Sequence, residues 1–129
     1  MNYNKAIIAG NLTRDPELRK TQSGATVTSF TVAINERQKD GTDRTSFINC
    51  EAFGKVAETI EKYFKKGKPI FIEGRLRQEA WEDKQGNKQT KIKVIVERFD
   101  FIDKQNNANN DNVTFEKSVL NQNGINIQD

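Results

Sequence analysis

The residues best suited to bind a ligand are aromatic rings and cations that share one face of predicted β-strands. The stretch EAWEDKQGNKQTKI, residues 79–92, sets the only Trp of the chain among charges and amides before a Gly turn. Side chains alternate between the two faces of a strand, so Trp81 is expected on the same face as Arg75 and Arg77. Such rings stack on unpaired nucleobases, and Arg or Lys side chains pair with phosphates. The pattern predicts a surface for a single-stranded nucleic acid.

Two Phe and two Lys residues extend this predicted surface. In the stretch TSFINCEAF, residues 45–53, Phe47 and Phe53 occupy the face opposite the apolar one. In the strand after the Gly turn, the same alternation places Lys91 and Lys93 outward. Each stacked base contributes about 1–3 kcal/mol, and duplex DNA would hide the base faces that the rings need. The expected ligand is therefore single-stranded and bound with little dependence on base sequence.

Other interpretations of these residues stay open on the sequence alone. An exposed ring can cover a barrel edge, and an aromatic face can form a subunit interface or bind another protein. With no His and one Cys, the usual transition-metal sites, His-based catalytic dyads and internal disulfides are excluded. We expect no enzymatic activity, no metal and no cofactor. A nuclease site would need clustered carboxylates, whereas the acidic candidates are scattered over different predicted elements: Asp15, Glu17, Glu51, Glu73 and Glu79.

Five predicted strands position these residues, because period-two alternation of apolar side chains dominates residues 1–103, although the first strand has apolar residues on both faces. The strands are NKAIIAGNL (4–12), ATVTSFTVAIN (25–35), TSFINCEAF (45–53), PIFIEGRLRQEAW (69–81) and KQTKIKVIVERFDFI (88–102). Pro16 and Gly24 punctuate a predicted turn-rich connector after the first strand, and the dipeptide Asp40-Gly41 fits a hairpin turn after the second. On the last two strands, alternation assigns Leu76 and Ile92 inward and Phe71 and Ile95 outward.

One helix interrupts the strands. In GKVAETIEKYFKKG, residues 54–67, the apolar Val56, Ile60 and Phe64 recur at helical spacing, and Gly67 is typical of a helix end. Three strands, one helix and two strands is the order of the OB-fold, a five-stranded Greek-key barrel. SH3-like barrels also have five strands but need no three-turn helix between the third and fourth. The predicted fold class is all-β, an OB-fold β-barrel with one helix.

Composition divides the chain into a domain and a tail. Residues 1–103 form the predicted barrel domain, whereas residues 104–129 are rich in Asn and Gln and are predicted to be a disordered polar tail. The tail holds two Lys against three acidic residues, so the barrel carries +4 where the whole chain carries +3. This excess is consistent with a polyanion-binding face. The apolar run of four residues near the N-terminus is too short for a signal sequence or a membrane span, which predicts a cytoplasmic protein.

Several stretches, taken in order, resemble blocks of a known family. They are NKAIIAGNLTRDPELR, TSFTVAIN, FINCEAFGKVAE, YFKKGKPIFIEGRL and the AW before the Gly turn. Over residues 1–103 the sequence resembles the bacterial and phage single-stranded DNA-binding protein family. The resemblance implies an OB-fold homotetramer that binds single-stranded DNA during replication, recombination and repair in the bacterial cytoplasm or nucleoid. Replication-restart and recombination accessory proteins share this fold, but the FINCEAFGK and IEGRLR blocks favour the general binder.

The resemblance assigns roles to individual residues. Position by position, the base-stacking aromatics of the family fall on Phe47, Phe53 and Trp81, the rings that alternation places outward. Members commonly carry another aromatic where this chain has Gln38, so one stacking platform is expected to be missing. The cations that contact phosphates in the family fall on Lys5, Lys55, Lys66 and Arg77.

The C-terminus departs from the family pattern. Members typically end in an acidic tip closing on Pro-Phe that recruits replication and repair proteins, whereas this chain ends NQNGINIQD. This departure removes the support for recruitment by that route, and replication and repair proteins remain candidate partners. The tail is either a diverged linker or a phage or mobile-element variant without the tip. Its apolar residues are either a short binding motif or scattered in a flexible segment: Phe115, Val119 and Leu120.

Overall fold

Residues 1–102 are described by a computed structural model, in which the five predicted strands and the one helix follow one another in the predicted order and one short strand is added. The helix α1 (Gly54–Tyr63) lies between the fourth and fifth strands of this region. The predicted tail, residues 104–129, lies outside the described residues. The strands are β1 (Ala6–Leu12), β2 (Glu17–Lys20), β3 (Thr26–Arg37), β4 (Asp43–Phe53), β5 (Pro69–Glu82) and β6 (Lys88–Phe101).

The five long strands close into a barrel. The sheet order is β1-β5-β6-β4-β3-β2, and an additional pairing of β1 with β3 joins the two ends of the sheet. All neighbouring strands run antiparallel except β4 and β6, which are parallel. Closure of this kind pairs backbone N–H and C=O groups that strand edges would otherwise leave unpaired. The predicted OB-fold barrel with a single helix is confirmed.

The short strand β2 corrects the sequence prediction of a turn-rich connector between the first two long strands. Glu17–Lys20 pairs antiparallel with β3, with Glu17 opposite Ser29. All four residues of β2 are exposed, so no apolar alternation marks the strand in the sequence. Its formation depends on hydrogen bonds offered by the edge of β3, which a period-two pattern does not report.

The helix packs its apolar face onto the barrel and ends earlier than predicted. Ala57, Ile60 and Phe64 are fully buried, and Thr28 Oγ1 donates a 2.9 Å hydrogen bond to the carbonyl oxygen of Ala57. The last helical residue is Tyr63, because Phe64 adopts an extended backbone as its ring enters the core. Gly67, predicted to end the helix, instead belongs to the turn that follows and has a φ of 86°.

Strand curvature explains where the predicted faces of β5 and β6 are wrong. Phe71 and Ile95, expected outward, are buried, whereas Leu76 and Ile92, expected in the core, are exposed. The barrel covers both faces of the hairpin near the start of β5 and the end of β6. The part next to the turn extends past the core and has both faces open. A bulge at Gly74 accommodates the bend: a Cβ atom there would collide with the backbone carbonyl of Ile95.

Candidate nucleic-acid interface

Three aromatic rings lie on one outer surface of the barrel. Phe47 and Phe53 belong to β4 and Trp81 to β5, and their exposed fractions are 65%, 38% and 45%. The pairing of β4 with β6 sets Glu51 opposite Ile95, and β6 pairs in turn with β5. Paired residues share a face, so the three rings are on the same side of the sheet. The predicted exposure of these rings is confirmed, and their role in binding stays a prediction.

The turn of the β5–β6 hairpin holds Trp81 in place. Asp83 closes the turn through its carboxylate, which accepts the backbone N–H groups of Asn87 at 2.8 Å and of Gln85 at 3.0 Å. These hydrogen bonds, led by the one from Asn87, lower the pKa of Asp83 below its ordinary value. Gly86 supplies the positive φ of 83° that the turn requires. The ring therefore projects from a closed hairpin rather than from a loose loop.

Two predicted cations accompany Trp81 on this hairpin. Lys91 Nζ lies 5.7 Å from the centroid of the Trp81 ring, in the range of a cation–π contact. Arg77 is exposed four residues before Trp81 on the same face of β5, opposite Lys93. A base stacked on Trp81 would thus have cations next to it for the neighbouring phosphates.

Two other predicted cations are already paired with carboxylates. Arg75 Nη1 lies 3.1 Å from Glu97 Oε2, and both side chains are partly exposed. Lys5 Nζ lies 2.5 Å from Glu73 Oε2, and this hydrogen bond raises the pKa of Lys5. A phosphate at either position would compete with a carboxylate of the protein.

The structure separates the remaining two cations assigned by resemblance. Lys55 is exposed in the first turn of α1, two residues after Phe53. Lys66 follows α1, and its backbone N–H donates a 2.8 Å hydrogen bond to Asp15. Lys66 therefore lies near the start of β5, at the end opposite Trp81, whereas Lys55 extends the surface beyond Phe53.

Lys93 is buried, whereas alternation predicted an exposed side chain; its role as a phosphate contact stays a prediction. Only 7% of the residue is exposed. Its Nζ lies 2.6 Å from Glu51 Oε1 and 2.5 Å from Glu79 Oε2. Alternation assigned the right face, but β6 lies between β4 and β5, and a carboxylate from each neighbour reaches over it. Burial alone would lower the pKa of Lys93, yet the two carboxylates raise it above its ordinary value.

Glu51 is the centre of this charge network. Its buried carboxylate accepts from Lys93 and, at 3.0 Å, from Arg19, which also donates to Ser29 Oγ at 2.7 Å. Burial would raise the pKa of Glu51, but the hydrogen bonds from Lys93 and Arg19 hold it below its ordinary value. Sequence reasoning missed Arg19 because its position depends on β2, for which no periodicity exists.

A groove runs beside this network between the β5–β6 hairpin and strands β2, β3 and β4. Its charged lining is mixed, with four cations and three carboxylates among the described residues: Arg14, Arg19, Lys91, Lys93, Glu17, Glu51 and Glu79. Arg14 was likewise not among the predicted site residues. The groove and the three rings form one outer surface, which we call the binding face.

Gln38 belongs to the predicted hairpin turn between β3 and β4. Its backbone N–H donates to the carbonyl of Thr42 at 2.7 Å, and Asp40 accepts from the hydroxyl of Thr42 at 2.6 Å. The hydrogen bonds from Thr42 lower the pKa of Asp40. Gly41 has a φ of 92°, as the predicted Asp-Gly turn requires. The position expected to carry an aromatic is thus the tip of an exposed arm.

Comparison with known protein families identifies the family of this chain. The model of the Single-strand binding protein family matches residues 3–102. The chain belongs to the single-strand binding protein family. A single-stranded DNA-binding protein of Clostridium perfringens is 42% identical over 113 residues, which are 87% of this chain and 74% of that protein. One from Wolinella succinogenes is 44% identical over 105 residues, 78% of this chain and 65% of that protein. One from Staphylococcus aureus is 39% identical over 109 residues, 83% and 70% of the two chains.

Membership in the single-strand binding protein family confirms the resemblance read from the sequence blocks. The family and these relatives are named for binding and not for catalysis, in agreement with the prediction that the chain is not an enzyme. Within the described residues of this single-strand binding protein, no helix has the length and apolar character needed to cross a membrane.

Proposed function

We propose that this chain binds single-stranded DNA without reading its base sequence and protects exposed strands during replication, recombination and repair. The observation that carries the proposal is the presence of three exposed rings on one cationic face, Phe47, Phe53 and Trp81. Membership in the family and the names of the relatives support single-stranded DNA as the ligand.

Stacking would provide most of the sequence-independent affinity. Every base has a π-face, so a ring binds any base, and each stacked base contributes about 1–3 kcal/mol. Arg77 and Lys91 on the hairpin and Lys55 beyond β4 are exposed cations that suit the phosphates between stacked bases. Each phosphate neutralised makes log K fall with log salt by a slope of about 0.7. Duplex DNA keeps its base faces stacked inside and is a poor ligand for this surface.

The paired cations would join the surface at a higher energetic cost. Lys5 and Arg75 each contact a carboxylate, so a phosphate gains less there than at an unpaired Lys. Lys66 lies at the far end of β5 and would contact only a strand that continues around the barrel. We therefore expect these three to extend the binding site rather than to anchor it.

Titration with oligothymidylate tests the proposed function. Because the chain has one Trp, selectively excited Trp fluorescence reports on Trp81 alone. We expect strong quenching on addition of oligothymidylate, with an affinity that falls as salt is raised. A duplex of equal length is the control and should bind much more weakly. If fluorescence does not change, or if the duplex binds equally well, the rings serve another purpose, such as the protein-interaction surface of a replication-restart or recombination accessory module.

We also propose that the chain assembles as a homotetramer. The support is the resemblance together with apolar side chains exposed on and before β1, among them Ile7 and Tyr3. A second copy that covers them would remove this apolar area from water. Light scattering after size-exclusion chromatography should give a mass about four times the 14.7 kDa of the chain. A smaller species is expected for Ile7→Lys, and a monomeric wild-type protein would contradict the proposal.

The location and further partners follow from the same proposal. The named relatives come from bacteria, and a cytoplasmic or nucleoid location fits a protein of replication and repair. The division into a domain over 1–103 and a tail over 104–129 is part of this proposal. Replication and repair proteins are the further partners that the resemblance implies.

A further inference from the structure

Two carboxylates hold Lys93, and their surroundings differ. The Glu51 side chain is 9% exposed and pairs with two cations, Lys93 and Arg19. The Glu79 side chain is 39% exposed, and its only ion pair among the described residues is with Lys93. Glu51 is therefore fixed within the network, whereas Glu79 can turn into solvent at small cost. Only the Glu79 end of this ion pair is in contact with solvent, and Lys93 keeps Glu51 as a partner when Glu79 turns away.

Glu79 also lies where it would meet a nucleic-acid strand. It borders the groove of the binding face and, with Ala80, Trp81 and Lys91, a second hollow around the Trp ring. The groove has a volume of about 420 Å³, large enough for a phosphodiester group. A base stacked on Trp81 would bring the phosphate next to that base toward Glu79. The negative charges of the phosphate and of the Glu79 carboxylate repel each other.

The charge balance of the network changes when Glu79 leaves it. With Glu79 in place, Arg19 and Lys93 are balanced by two carboxylates, and the net charge is zero. Without Glu79, the two cations and Glu51 carry a net charge of +1, which matches the single negative charge of a phosphodiester. Lys93 lines the groove, so its Nζ becomes accessible from that side once Glu79 moves.

We propose that Glu79 is a displaceable carboxylate that occupies Lys93 in the DNA-free protein and gives way to a phosphate of the bound strand. This inference rests on the proposed function and names Glu79 as a residue that sets its affinity. Lys93, although buried, then contacts the strand after all, in exchange for a protein carboxylate. The exchange weakens phosphate binding at this point relative to binding at an open cation.

The variant Glu79→Gln tests the exchange, measured by the fluorescence anisotropy of a labelled oligothymidylate so that changes around Trp81 do not distort the signal. We expect binding about two- to fivefold tighter than wild type at low salt, because the competing charge is gone. A freed carboxylate takes up a cation from solution, so the salt slope should also be steeper in the variant, by at most about 0.7. The melting temperature should stay close to that of wild type.

The control is Glu17→Gln, which removes the same charge from the same groove but from a residue without an ion pair among the described residues. If Glu79 acts only by general repulsion, the two variants gain equally, and the proposal is overturned. A double-mutant cycle with Lys93→Gln adds a second check, since the gain from Glu79→Gln should vanish without Lys93. Should Lys93→Gln not fold, the comparison of the two Glu variants still decides. Failure of wild type to bind would overturn the proposed function instead, and binding of Glu79→Gln no tighter than wild type would overturn only the exchange.

Discussion

The double variant Trp81→Ala with Phe47→Ala should bind oligothymidylate about 1.5 to 4 powers of ten more weakly than wild type. Each ring is expected to stack one base at about 1–3 kcal/mol, and the two rings lie on different strands, so their losses should nearly add. Both rings are exposed and contribute nothing to the buried core. The affinity is measured by anisotropy of labelled oligothymidylate, and thermal melting followed by circular dichroism should show a folded barrel.

A matched control for this experiment is Tyr63→Ala, which removes an exposed ring from α1, away from the binding face. Its affinity should stay within about twofold of wild type, although loss of its edge contact with Phe101 will lower stability slightly. An unchanged affinity in the double variant would show that the rings do not stack bases. If the double variant unfolds, the rings are structural, contrary to their exposure.

Local periodicity was sufficient to find the rings of the candidate site. Phe47, Phe53 and Trp81 each follow from strand alternation, because alternation depends only on residues adjacent in sequence. The Asp-Gly turn before Gly41 and the apolar stripe of α1 are local signals of the same kind. The fold class followed from the order of these elements, and the sequence blocks pointed to the family that the comparison confirmed.

The features that sequence reasoning missed depend on which strands become neighbours and on how the barrel curves. Alternation placed Lys93 on the correct face, but its burial results from the parallel pairing of β4 with β6, which brings Glu51 beside it. β2 exists only because β3 offers an edge, and Arg19 enters the network with it. Ile92 and Ile95 exchange their expected exposure because barrel curvature, not alternation, decides where both faces are covered.

The network around Glu51 gives the largest expected effect on stability. The variant Glu51→Gln leaves Arg19 and Lys93 next to each other without the carboxylate between them, although Lys93 retains Glu79. Loss of a charged hydrogen-bond partner costs about 1.5–3 kcal/mol when, as here, one cation left behind keeps another carboxylate and the other is half exposed to solvent. We expect a decrease of this order in the free energy of unfolding at neutral pH, measured by urea denaturation of the DNA-free protein.

The pH dependence distinguishes the charge of Glu51 from its shape. The folded-state pKa of Glu51 lies below the ordinary 4.5, so its contribution to stability is fully present above that pH and is lost as the pH falls through the folded-state value. The difference in unfolding free energy between wild type and Glu51→Gln should therefore shrink as the pH is lowered from 7 toward 3. Asp40, Glu73 and Asp83 also have lowered pKa values, but their contributions cancel in this difference because both proteins contain them.

The matched control for Glu51→Gln is Glu82→Gln, which neutralises an exposed carboxylate on β5 that has no ion pair among the described residues. A surface change of this kind should alter the free energy of unfolding by no more than about 0.5 kcal/mol at any pH. If Glu51→Gln is as stable as this control, solvent already screens the network and the buried carboxylate contributes little to the free energy of unfolding. If the loss of unfolding free energy in Glu51→Gln stays constant from pH 7 to pH 3, lost packing is the cause. Only a group whose pKa differs between the folded and unfolded states makes stability depend on pH.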